Sequence, residues 1–114
     1  MTRYPLSMGE RTIVIVAYRP KPGKETELLQ LTREHVPLLR EEGLATDRTA
    51  IAGLAADGTV VEAFEWEAGA IERAHTNPRV TALWERYAAA CDYIPLKSLP
   101  EAEQMFAGFR PIAL

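Results

Sequence analysis

The spacing of apolar and polar positions changes character several times along the chain, and each change predicts an element. Arg11 to Tyr18 is rich in β-branched residues and apolar on both alternating faces, Ile13/Ile15/Ala17 and Val14/Val16/Tyr18. That composition predicts a strand covered on both sides. Two prolines and a glycine in Arg19 to Gly23 predict a turn. From Lys24 to Glu42 the period becomes helical, with Leu28, Leu31, His35, Leu38 and Leu39 on one stripe. Pro37 lies inside this helix and is expected to kink it near Arg33 to Val36, and Gly43 is a natural stop.

Two β-prone runs follow, Thr46 to Leu54 and Thr59 to Trp66, joined by Ala55-Ala56-Asp57-Gly58. Asp-Gly between such runs predicts a hairpin, because both residues tolerate the positive φ of tight turns. In the second run Val60, Glu62, Phe64 and Trp66 share one face. Glu67 to His75 predicts a short helix. Asn77-Pro78 then gives the clearest helix start in the chain, Asn as cap and Pro in the first turn. Val80, Leu83, Trp84, Tyr87, Ala88 and Cys91 recur behind it at helical spacing. Asp92 to Lys97 reads as a connector. Ser98 and Glu101 fit a capping box opening a short helix to about Met105, and Phe106 to Ile112 reads as a last, edge strand.

The order strand, helix, strand, strand, helix, strand is the ferredoxin-like split βαβ arrangement of an α+β protein. It predicts a four-stranded antiparallel sheet with both main helices on one face. Two helices cover only one face, yet the first strand is apolar on both. The open face therefore predicts a homodimer packed sheet to sheet about a two-fold axis. The 114 residues suit one domain, 1–114, with a flexible arm at 1–10.

Composition changes this picture little. The chain is 47% hydrophobic and 25% charged, with a formal net charge of -3 and no block of either sign. That argues against nucleic acid as a partner. The longest strongly apolar run, Ile13 to Tyr18, is too short to span a bilayer, so no membrane is expected. A lone cysteine and the lack of a signal segment point to the cytoplasm.

The residues Thr12-Ile-Val-Ile-Val-Ala-Tyr18, Pro22-Gly23-Lys24, Trp66-Glu67 and Ala74-His75-Thr-Asn-Pro-Arg-Val80 carry a resemblance to the dimeric α+β barrel superfamily. In particular the chain resembles small proteins of the antibiotic biosynthesis monooxygenase type. The resemblance implies a dimeric α+β barrel. It also implies an oxidoreductase that oxidises a small aromatic or apolar substrate between helices and sheet with no metal or flavin, the substrate passing electrons to oxygen.

Within that expectation, His75 and His35 are the candidate catalytic residues, each able to serve as base or hydrogen-bond donor near neutral pH. Trp84, Trp66, Phe64, Tyr18 and Tyr87 are candidate walls of a substrate pocket. Each has a plainer reading. His75 fits a helix junction bonded to a backbone carbonyl, His35 a satisfied core histidine, and the aromatics ordinary core. Glu62 reads either as an interior carboxylate or as a partner of Arg48. Arg79 is open to an anionic group, though solvation is its default. Two histidines with Glu62 or Glu65 make no metal motif, so no metal is expected. Cys91 reads as a buried, inert thiol. The second functional reading is a non-enzymatic module that binds a small molecule or partner. The third is a haem-handling relative, disfavoured because Trp84 stands where an axial histidine would be wanted.

Overall fold

The computed structural model describes residues 10–114, so the arm expected at 1–10 lies, but for Glu10, outside the described residues. The elements are β1 (Thr12–Pro20), α1 (Glu25–Glu41), β2 (Ile51–Leu54), β3 (Val60–Trp66), α2 (Ala70–Ala74), α3 (Pro78–Ala90), β4 (Cys91–Ile94) and β5 (Arg110–Ile112). Two 3-10 turns, Leu96–Ser98 and Pro100–Glu103, lie between the last two strands. The α+β character is as the sequence predicts, but the sheet has five antiparallel strands rather than four, in the order β4-β1-β3-β2-β5.

The strand count is corrected at the C-terminal end. Cys91 to Ile94, expected to be the end of a helix and a connector, pairs with β1 from Ala17 to Pro20. Four residues carry too little alternation to announce a strand. The run 106–112 yields only a three-residue strand, which pairs with β2 on the far side of the sheet. Pro111 sits there on an edge strand, where its missing N–H breaks no ladder. Gly53 opposite is needed, since a Cβ there would stand 2.7 Å from Phe109 Cβ.

The strand expected at 46–54 begins only at Ile51. Arg40 takes the carbonyls of Thr46 and Arg48 through Nε and Nη2, at 2.9 and 2.7 Å, while the Thr46 N–H still bonds to Glu65 O of β3 at 3.0 Å. The capping box at Ser98 and Glu101 does not form. Glu101 Oε2 instead accepts the Ala56 N–H of the hairpin at 2.8 Å.

The helix ends follow the sequence closely. α1 runs without interruption through Pro37 and closes on Gly43, whose φ is 73°. The Gly43 N–H bonds to Arg40 O and the Leu44 N–H to Leu39 O, the paired bonds of a Schellman close. At α3, Asn77 Oδ1 accepts from the N–H groups of Arg79 and Val80. Asn77 Nδ2 reaches across to Glu42, tying the start of α3 to the end of α1.

Both long helices lie on one face of the sheet. Tyr18, Leu28, Leu31, Val60, Leu83, Tyr87 and Cys91 form one part of the core there, and Val36, Leu39, Phe64, Trp66, Ala74 and Val80 another. The opposite face is half covered. The segment after β4 crosses it, packing Leu99, Leu96 and Phe109 on Ala17 and Val61. Beyond this strap Ile13, Ile15 and Ile51 stand 57, 55 and 65% exposed. Ile15 and Ile51 both pair with Ala63, so they lie in one row across the sheet.

Candidate functional site

A cleft of about 480 Å³ opens between the helices and the sheet. Val14, Val16 and Tyr18 of β1 and Phe64 and Trp66 of β3 form its floor, with His35 of α1 beside them. Trp84 and Ala88, one turn apart on α3, make a wall; His75 and Tyr93 complete the lining. A second groove of about 400 Å³ between α1 and α3 is lined by exposed ion pairs, Arg86 with Glu34 and Arg79 with Glu41. The apolar cleft is therefore the one suited to a small organic ligand.

Beneath this cleft lies a buried polar chain. Tyr18 Oη donates to Glu62 Oε1 at 2.8 Å, and His35 Nδ1 lies 3.0 Å from the same oxygen. Glu62 is fully buried and His35 is 4% exposed. The arrangement follows from strand alternation. Glu62 shares the helix-side face of β3 with Val60 and Phe64, pairs with Val16, and sits diagonal to Tyr18. His35 occupies the core stripe of α1, one turn after Leu31. Burial, and then the Glu62 charge, hold the Tyr18 hydroxyl well above its ordinary acidity range, so it remains a donor.

The other Glu62 oxygen has no hydrogen-bond partner among the described residues, and neither does the buried Tyr87 hydroxyl. An orphaned buried acceptor costs about 1–3 kcal/mol. Rings close around the carboxylate's neighbours: His35 meets Phe64 and Tyr87 edge-on, each at 5.3 Å between centroids, and Tyr18 packs on Tyr87 at 4.9 Å. Burial, then Cys91 and Glu62, push the Tyr93 hydroxyl up to about 12.

Six of the seven residues expected at the site line the cleft: His75, His35, Trp84, Trp66, Phe64 and Tyr18. Tyr87 does not; it is buried beneath, against Tyr18 and His35. The two histidines do share one cavity, but at different depths. His75 is exposed, at the mouth of the cleft. Its Nδ1 bonds to Ile71 O at 2.8 Å, the junction role of its plainer reading, and its ring meets Trp84 edge-on at 5.2 Å.

Glu62 takes the interior alternative, while Arg48 pairs with Glu65 instead. Arg79 is engaged by Glu41 and Glu42. Cys91 is buried, donates to Tyr87 O at 3.3 Å, and burial pushes its thiol up to about 11, so it is a poor nucleophile. Val14, Val16, Ala88 and Tyr93 were not anticipated in the lining. Tyr93 was hidden because its strand was read as a connector; Ala88 has the i+4 spacing from Trp84 that would have found it. Among the described residues, no three His, Cys, Asp or Glu side chains gather as a metal site, and no helix is long and apolar enough to cross a membrane.

No family model, no curated protein and no solved structure matches the chain.

Proposed function

We propose that the chain is a cofactor-independent monooxygenase-like enzyme acting on a small, electron-rich aromatic held in the apolar cleft. One observation carries the reading: a fully buried carboxylate, bonded to a tyrosine and a histidine, lies under a cleft with otherwise apolar walls. Burying such a group is costly, and a polar cluster of this kind beside a cavity is a functional signature. His35 takes a proton from the substrate, and the resulting anion is oxidised directly by dioxygen. For an activated CH2 group the balance is CH2 plus O2 giving C=O plus water, with all four electrons drawn from the substrate. The protein supplies a dry cavity, a base and orientation.

The architecture supports the same assignment. β1, α1, β2, β3, α3 and β4 follow in the βαββαβ order, with β4-β1-β3-β2 as neighbours, as in a ferredoxin-like fold. In this proposal the exposed row of Ile13, Ile15 and Ile51 meets the same row of a second copy, giving a dimeric α+β barrel.

A second reading, a non-enzymatic binder of an apolar molecule, draws on His75, whose Nδ1 is spent on its own helix. Oxygen uptake with anthrones and hydroquinones separates the two. The enzyme reading expects uptake that falls by roughly a hundredfold or more in His35→Ala. Absence of uptake with every such substrate, in protein that still binds them, leaves the binder.

A further inference from the structure

The two histidines at the cleft have their Nδ1 atoms committed to acceptors. His75 Nδ1 faces the Ile71 carbonyl, which can only accept, so that nitrogen carries the hydrogen. His35 Nδ1 faces Glu62 Oε1, an oxygen already accepting from the Tyr18 hydroxyl. A neutral imidazole that donates through Nδ1 keeps a lone pair on Nε2. The Nε2 of His35 has no hydrogen-bond partner among the described residues, yet it is not among their sealed, unpartnered polar atoms. It therefore opens towards the cleft that His35 lines.

We propose that Glu62, held by Tyr18, is a positioning residue that fixes His35 as a hydrogen-bond acceptor at the cleft, making the site selective for planar aromatics bearing a hydroxyl donor: phenols, naphthols and enols. This deepens the function proposed above, because a hydroxyl bound to Nε2 is the group whose proton His35 would take. It does not require oxygen chemistry to be correct. The selectivity rests on an asymmetry. A ring without the hydroxyl leaves the buried nitrogen unpaired, whereas an apolar sink would favour the more apolar ligand.

Two measurements test it, both under nitrogen so that failure of the oxygenase reading does not touch them. In the first, calorimetry compares 1-naphthol with 1-methylnaphthalene, which has nearly the same shape. The wild type is expected to bind the naphthol about tenfold or more tightly, the worth of one hydrogen bond, and His35→Phe to erase the preference. Equal or tighter binding of the hydrocarbon, or binding of neither, overturns the proposal. In the second, 15N NMR of the histidine-labelled wild type reads the tautomer. Protonated Nδ1 with a lone pair on Nε2 is expected at His35, the Nε2 resonance moving on naphthol addition. Glu62→Leu is expected to release the population to the other tautomer. A wild type found as the Nε2–H tautomer overturns the proposal even if neither variant folds.

Discussion

Tyr18 and Glu62 sit diagonally across the seam between β1 and β3, and the tyrosine hydroxyl donates to the buried carboxylate at 2.8 Å. Both are buried, Glu62 completely and Tyr18 to 1% exposure. Tyr18→Phe keeps the ring packed on Tyr87 but removes this donor, leaving His35 as the carboxylate's remaining partner. The variant is expected to fold and to lose about 1.5–3 kcal/mol, the range for a hydrogen bond to a charged group. Urea unfolding measures it; an unchanged midpoint would show that the bond contributes nothing net.

Asn77 has two duties, and its loss should be felt in both. Its Oδ1 caps the first turn of α3 and its Nδ2 holds Glu42 at the end of α1. Asn77→Ala is expected to cost about 1–2 kcal/mol, the upper part of the range for lost caps. Hydrogen exchange should speed up at the first turn of α3 before it does elsewhere. Uniform exchange with no local opening would argue that Pro78 alone sets the helix start.

Glu65 shows how acid should weaken the fold. Hydrogen bonds from Arg48 first and Thr46 second hold its carboxyl below the usual carboxylate range. Because the folded value lies below the unfolded one, about 4.3, ionisation favours the fold above that pH. The benefit fades as pH falls through the depressed folded value. Glu65→Gln is thus expected to be less stable than the wild type near pH 7, with the gap closing as the pH falls below the usual carboxylate range. A gap that stays constant with pH would assign the loss to packing rather than charge.

The exposed row of Ile13, Ile15 and Ile51 predicts the oligomer directly. Light scattering at micromolar concentration is expected to give twice the chain mass. Ile15→Lys places a charge in the middle of the row opposite Ala63 and should return a monomer with the same circular dichroism. A wild-type monomer would remove the dimer from the proposal.

What could be read from the residues divides along physical lines. Long periodic segments and their punctuation were legible: α1 with Gly43 behind it, α3 with Asn77-Pro78 before it, and the Asp57-Gly58 hairpin. These signals are local. What the residues hid was decided by distant partners. Cys91 to Ile94 became a strand because the free edge of β1 accepts it, and Arg48 lies outside the ladder with its carbonyl taken by Arg40. At the site, both histidines and the aromatics were named within the family resemblance, and all of them but Tyr87 line the cleft. Nothing local announced that His35 and Glu62, 27 positions apart, would meet.

The strap has a consequence for how the chain could be shortened. β4 lies beside β1 and β5 beside β2, so the segment between them ties the two borders of the sheet together. A chain ending at Ile94 would keep the whole cleft lining but strip the outer border of β2. It would also uncover Ala17 and Val61, now packed beneath Leu99. Such a truncated chain would keep its pocket and lose its discretion: an unguarded strand beside bare apolar surface recruits its own kind into aggregates.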